Sequence, residues 1–156
     1  MDGIASGETA SYGSRLLTTY NDSVANIPIG TKGESSLVVT PENAISFLGV
    51  DSARVLGTPF LIWHLEMTAR NSVKPFLDEG FDTVGARVDV RHLAATPLGM
   101  RVTFHSELTK IEDRRLLFRV EAFDEEDKIS EGSHERAIIQ VAKFAARLHA
   151  KGQKHE

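Results

Sequence analysis

The sequence of 156 residues is 41% hydrophobic and 26% charged, with a formal net charge of −4 and no cysteine. This length favours one domain with a substantial core, and no apolar run reaches the roughly 18 residues that a membrane span needs. The negative charge argues against nonspecific nucleic-acid binding. Without cysteine, the chain has no disulfide, thiolate nucleophile or thiolate metal ligand. This fits a reducing compartment, and we expect a cytoplasmic protein.

The chain divides near residue 27. Residues 1–26 are rich in Ser, Thr, Gly and Ala without a sustained hydrophobic period, which predicts a mobile or peripheral arm. Their Ser and Thr content leaves organellar targeting open, although the acidic residues in this stretch count against a transit peptide. We expect residues 27–150 to form a single domain and residues 151–156 a solvated tail.

A long helix is predicted after a short strand at residues 36–39. Thr58 suits the N-cap and Pro59 the first helical position. At about 100° per residue, apolar side chains then occupy one broad arc. The members of this arc are Leu61, Ile62, Leu65, Ala69, Val73, Phe76 and Leu77. A helix of about residues 58–77 that is apolar over most of its circumference belongs inside the fold.

Four segments with alternating apolar residues follow the helix, and acidic turn-like runs separate several of them. Alternation with a period of two predicts half-buried strands. The alternating positions are Val84, Ala86, Val88 and Val90; Met100, Val102 and Phe104; Leu116, Phe118, Val120 and Ala122; and Ala137, Ile139 and Val141. The element order predicts the α+β class and, within it, the hotdog fold: an antiparallel β-sheet wrapped around one long central helix.

One carboxylate, Glu66, lies inside the apolar arc of the helix. Burying an unpaired charge there is costly, so Glu66 either faces solvent or has a chemical role. Arg70 and Lys74 follow at i+4 and i+8, and Glu placed four residues before a cation is the favoured orientation of a surface pair. Periodicity leaves the solvated pair and the functional carboxylate equally open.

Two motifs in the second half of the chain are long enough to be specific. They are HLAATPLG, which begins at His92, and GSHERAII, which begins at Gly132. Together with the intervening DRRLLFRVEAFD, they resemble the fluoroacetyl-CoA thioesterase family of hotdog enzymes, over about residues 27–148. Upstream, GTPFLIWHLEMTA resembles the opening of that family's helix, which carries a Thr and a Glu.

The resemblance implies a catalytic set of Thr58, Glu66 and His92, with Gly85 and Arg136 lining the acyl pocket. It implies a thioesterase that hydrolyses a small or medium acyl-CoA to the free acid and CoA, without a cofactor or a metal ion. It also implies a homodimer with its sites at the subunit interface. The family's aromatic gate, which precedes its Thr, falls on Ser52 in an ungapped register; Phe47 or Leu48 could serve instead.

Each of these residues also has a structural interpretation. Thr58 could only cap the helix, and Gly85 could be a bulge or a close contact within a strand. His92 could be a surface residue at the end of a strand, and Arg136 could pair across the sheet. The remaining central histidines are interpreted as structural, because they lack the spacing of a metal site: His64, His105 and His134.

The spacing of Thr58 and Glu66 sets a geometric condition. They are eight residues apart, which separates them by about 12 Å along a regular helix. They cannot both touch one small reacting centre from a single straight helix. Either His92 bridges them, or they act from different subunits of a dimer.

Other functions remain open on the same fold. A non-catalytic protein that binds acyl-CoA or another small ligand would keep the pocket without hydrolysing the ligand. An assembly module would keep only the dimer contacts. A hotdog hydratase is a further possibility, but its His-bearing motif normally has a different loop context.

Overall fold

The structure is a computed structural model that describes residues 26–155. The predicted arm lies outside the described residues, apart from Asn26. The described residues form five strands and two α-helices, together with three short 3-10 turns. In chain order these are β1 (Lys32–Val38), α1 (Thr58–Val73), β2 (Phe81–His92), β3 (Arg101–Glu112), β4 (Arg115–Phe123), β5 (Lys128–Gln140) and α2 (Val141–Gln153). Among residues 26–155, neither helix has the length and hydrophobicity that a membrane span requires.

The five strands form one sheet in the order β1-β3-β4-β5-β2, and every neighbouring pair is antiparallel. The predicted alternation is confirmed on β3 and β4, where every second side chain is buried over residues 102–108 and 116–122. The buried hydrophobic residues there are Val102, Phe104, Leu108, Leu116, Phe118, Val120 and Ala122. The order makes β1 and β2 the edge strands of this sheet. The strand β2 pairs with β5 along one side, and its other side is a sheet edge.

The helix α1 packs against the inner face of the sheet, mainly on β1 and β3. Its apolar arc is buried at Leu61, Leu65, Ala69 and Val73. At Gly33 of β1 an added Cβ would lie 2.7 Å from the Thr68 carbonyl oxygen of α1, so the strand crosses the helix at a distance that only glycine allows. A curled antiparallel sheet around one central helix is the predicted hotdog arrangement.

The ends of α1 differ from the prediction. The helix stops at Val73 rather than near residue 77, because Pro75 has no N–H to continue the hydrogen-bond ladder; a 3-10 turn, Lys74–Phe76, follows. The N-cap residue is Gly57, and Thr58 is the first residue of the helix. No side chain caps this end of the helix. Our N-cap assignment for Thr58 is therefore wrong, and its hydroxyl is available for another contact.

The C-terminal helix α2 was not predicted. We interpreted Val141 as part of the alternation in the last strand, but β5 ends at Gln140 and the helix begins at the next residue. The sequence VAKFAARLHAK is rich in good helix formers. None of the α2 residues is buried, and residues 151–153, which we assigned to the tail, continue the helix with exposed side chains.

Candidate active site

The Thr58 and His92 side chains meet where α1 begins and β2 ends. Thr58 Oγ1 lies 2.8 Å from His92 Nδ1, a normal hydrogen-bond distance. Both line an open groove, whose other lining residues are Ile45, Phe47, Val55, Leu56, Leu93, Ala94 and Ala95. The mostly apolar walls and one polar pair suit a ligand with an apolar part and one reactive polar bond.

The loop that follows His92 is tied to the segment that precedes Thr58. Thr96 is fully buried; its hydroxyl donates to Asp124 Oδ2 over 2.9 Å, and its carbonyl accepts from the Leu56 N–H over 2.9 Å. This backbone bond helps to fix the spacing of Thr58 and His92.

His92 is electrostatically suited to accept a proton. Burial lowers its pKa from the ordinary 6.5, while the nearby backbone of Ala94 opposes part of that shift. Its Nε2 atom is buried and has no hydrogen-bond partner among the described residues. The imidazole is therefore neutral near pH 7, with Nδ1 directed at the Thr58 hydroxyl.

Glu66 lies on α1, two turns after Thr58, and contacts Arg136 rather than the Thr58–His92 pair. Its Oε2 atom is 3.6 Å from Arg136 Nη1, and the side chains are 28% and 6% exposed. This is an ion pair beyond hydrogen-bond distance. Arg70 instead bonds Asp82 of β2, with Nε 3.0 Å from Oδ1. The interpretation of Glu66 and Arg70 as a solvated surface pair is therefore wrong.

Gly85 lies against the Glu66 carboxylate. A Cβ added at this position would be 3.1 Å from Oε2 and 3.3 Å from Oε1 of Glu66, closer than ordinary van der Waals contact. The pairing of β2 with β5 also shifts register between Gly85 and Arg87. Gly85 is thus both a close contact and part of a bulge, and glycine allows the carboxylate to approach the strand.

Arg136 points into the fold and does not pair across the outer face of the sheet. Its Nε and Nη2 atoms donate to Oγ1 and the carbonyl of Thr83, each over 2.8 Å. Its Nη1 atom lies 3.1 Å from His134 Nε2. Burial lowers the pKa of Arg136, and the carboxylate of Glu66 opposes that shift. Glu135, its neighbour in sequence, turns outward and pairs with Arg115.

The five predicted residues therefore form two groups within one chain. Thr58 and His92 make one group, and Glu66, Gly85 and Arg136 make the other. No hydrogen bond or ion pair within residues 26–155 joins Glu66 to Thr58 or His92. This agrees with the separation of about 12 Å expected along the helix.

Sequence analysis missed Thr83 and the contact role of His134. Thr83 was not singled out, and His134 was interpreted as structural, which its burial supports. The predicted alternation of β5 is wrong by one residue: it places Ala137 and Ile139 inward, whereas the buried side chains are those of His134, Arg136 and Ile138. A strand register shifted by one residue exchanges its two faces, so the sequence carried no signal for His134 or Arg136 as inward residues. Among residues 26–155, no group of three or more His, Asp or Glu side chains could hold a metal ion.

Comparison with known proteins identifies the family. The family described as fluoroacetyl-CoA-specific thioesterase matches residues 39–142. A fluoroacetyl-CoA thioesterase of Streptantibioticus cattleyicolor is 35% identical over 129 residues, which cover 79% of this chain and 93% of that protein. The family match includes the motifs that begin at His92 and Gly132.

Solved structures agree with this assignment. That of a fluoroacetyl-CoA thioesterase superposes with a TM-score of 0.72 at 35% identity, over 80% of this chain and 96% of the other. A thioesterase superfamily member from Thermus thermophilus gives 0.75 at 36% identity, over 82% and 95%. A hot-dog-like protein from Thermanaerovibrio acidaminovorans gives 0.76 at 23% identity, over 83% and 96%, which supports the fold alone. The chain therefore belongs to the fluoroacetyl-CoA thioesterase family of hotdog-fold thioester hydrolases, as its motifs predicted.

Proposed function

We propose that this protein hydrolyses thioesters of CoA that carry small or medium acyl groups, and that Thr58, His92 and Glu66 carry the reaction. The observation that supports this most directly is the 2.8 Å contact between Thr58 Oγ1 and His92 Nδ1 in an apolar-walled groove. A hydroxyl beside a neutral imidazole is the arrangement that activates an oxygen nucleophile.

In the proposed reaction, His92 accepts a proton from the attacking oxygen, which is either the Thr58 hydroxyl or a water molecule that Thr58 positions. The oxygen adds to the thioester carbonyl, the C–S bond breaks, and His92 returns the proton to the departing sulfur of CoA. If Thr58 attacks, a second round with water hydrolyses the acyl-Thr58 ester. Glu66 orients His92 or activates the attacking water. In both versions the products are the free acid and CoA.

The start of α1 offers one donor for the negative charge that develops on the carbonyl oxygen. The N–H groups of Phe60 and Leu61 both donate to the Gly57 carbonyl, and Pro59 has no N–H. The Thr58 N–H has no acceptor among the described residues, and it lies at the positive end of the helix dipole. We assign the oxyanion contact to this N–H.

We propose that the working form is a homodimer in the cytoplasm. The strand β2 is a free edge of the sheet, and exposed edges are templates for pairing with another chain. Phe60 and Trp63 follow each other at i and i+3 on α1 and remain 41% and 58% exposed, an apolar stripe that a second subunit would cover. In such a dimer, one active site would combine the Thr58–His92 pair of one subunit with Glu66 of the other.

Phe47 is our candidate for the residue that selects the acyl group. It lines the groove with Thr58 and His92 but is 80% exposed, so it lies at the mouth. Ser52, the position that an ungapped register predicts, is not among the lining residues of that groove.

The direct test is thiol release from a panel of acyl-CoAs, from acetyl and fluoroacetyl to medium-chain and aryl groups. Because the chain has no cysteine, it adds no background to a thiol-reactive dye. Release that varies with the acyl group supports the proposal. If no member releases CoA but CoA raises the melting temperature, the protein binds acyl-CoA without cleaving it, and the alternative function is correct.

The fall of kcat/KM at acid pH should reflect the pKa of His92. Since burial lowers the pKa of His92 below 6.5, the neutral base predominates at pH 7, and its protonation begins only at lower pH. We expect kcat/KM to be constant from about pH 7 to 8 and to fall about tenfold per pH unit below the lowered pKa. The measurement is kcat/KM from pH 5 to 8 with enzyme of verified stability. An acid limb centred above 6.5 would contradict the assignment.

The close approach of Gly85 to Glu66 predicts the effect of a single methyl group. In Gly85→Ala the added Cβ would crowd both carboxylate oxygens, and Glu66 would move relative to Arg136. We expect kcat/KM to fall about tenfold, because small displacements of a catalytic group are costly, with little change in melting temperature. Gly152→Ala is the matched control, because nothing lies within 4 Å of its added Cβ. Equal activity of the two variants would show that Glu66 tolerates displacement.

A further inference from the structure

The buried guanidinium of Arg136 is held by two residues to which no role in the reaction has been assigned. Thr83 accepts from Nε and Nη2, and His134 contacts Nη1. All three residues are buried. We call Thr83, His134 and Arg136 the arginine clamp. The N–H groups at Nη1 are the ones that face the Glu66 carboxylate, so the clamp sets the position of the Arg136 end of that ion pair.

The neighbours of His134 determine its tautomer. Nδ1 lies 2.8 Å from the Arg87 carbonyl oxygen, which can only accept, so Nδ1 carries a hydrogen. Nε2 lies 3.1 Å from Arg136 Nη1, which can only donate, so Nε2 is bare. A protonated ring would direct an N–H at another N–H. The ring also stacks on Phe118, with centroids 6.3 Å apart.

His134 therefore joins two parts of the site. Through Nδ1 it holds the Arg87 carbonyl at the bulge that follows Gly85, and through Nε2 it holds Arg136. Glu66 lies between these parts, against Gly85 on one side and Arg136 on the other. The charged groups that act on the ring are Arg136, Glu66 and Glu135.

We propose that His134, as the neutral Nδ1–H tautomer, is a positioning residue: it fixes Arg136 so that the guanidinium holds Glu66 in its working place. The inference rests on the proposed thioesterase function. His134 does not line the Thr58–His92 groove, and the contact that carries the proposal is the one from Nε2 to Arg136.

The test compares His134→Gln with His134→Asn. The amide oxygen of Gln reaches about the place of Nε2 and can accept from Arg136, whereas the shorter Asn can replace only the Nδ1–H bond to Arg87. We expect Gln to keep kcat within threefold of wild type and Asn to lower it about tenfold, with KM within twofold for both. A role in packing alone predicts equal activities of the two variants per folded molecule, and that result would overturn the proposal.

Two further measurements keep the test decisive. If His134→Asn does not fold, Thr83→Val and Thr83→Ser replace the pair: Ser keeps the hydroxyl that accepts from Arg136 Nε, so only Val should lower kcat. The tautomer is read independently from ring 15N shifts in wild type, with Nδ1 protonated and Nε2 bare at pH 6.5–7.5. The Nε2–H tautomer or a charged ring would overturn the clamp. If wild type releases no CoA but shows the expected tautomer, the proposed function fails while the clamp geometry stands.

Discussion

His92→Ala should lower kcat for thioester hydrolysis about a thousandfold, the middle of the range for losing a general acid–base group. The methyl side chain cannot accept the proton from Thr58 Oγ1, which in the native protein lies 2.8 Å from Nδ1. It also cannot return a proton to the departing sulfur. The measurement is thiol release under saturating acyl-CoA, with wild type and variant side by side.

The fold should tolerate this change, so the loss can be assigned to chemistry. The Thr58–His92 bond contributes only about 1 kcal/mol net, and Nε2 has no hydrogen-bond partner among residues 26–155 that would be orphaned. His149→Ala is the matched control, since His149 is exposed on α2. If His92→Ala retains wild-type kcat while folded, His92 is not the base and the proposed mechanism is wrong.

The sequence predicted the parts of the fold that follow a strict period. Alternation in β3 and β4 gave the correct inward residues, such as Phe104 and Phe118, because these central strands are covered on one face only. The method failed where two periods overlap. Val141 continues the alternation of β5, yet Val141, Phe144 and Leu148 are also spaced as one helix face, and the chain turns helical at that residue.

In the candidate site, the sequence could not predict which side chains contact Glu66 and Arg136. Periodicity could not decide between a surface and a functional Glu66, because Arg70 stands at the favoured i+4 position. The decision comes from Asp82 on β2, which binds Arg70 and leaves Glu66 to Arg136. Likewise, Thr83 and Arg136 are 53 residues apart, and only the pairing of β2 with β5 brings them together. The family motifs supplied the candidate residues, but not their division into two groups.

The division into two groups leads to the second prediction, which concerns whether activity returns in mixed dimers. A Thr58→Ala chain is paired with a Glu66→Ala chain through two different affinity tags, and only heterodimers are isolated. If each site combines the Thr58–His92 pair of one subunit with Glu66 of the other, one of the two sites contains no substitution. We expect about half of the wild-type activity per heterodimer, although each parent homodimer is nearly inactive.

The matched control pairs a Thr58→Ala chain with a His92→Ala chain. Thr58 and His92 touch within one chain, so in this heterodimer each subunit's pair carries one substitution and no activity should return. Recovery in the first combination and not in the second assigns Glu66 to the opposite subunit. No recovery in either combination would show that one chain supplies all three residues. The separation of about 12 Å along α1 would then have to be closed by movement of His92, which is held at the end of β2 by the Leu93–Ile129 backbone bond.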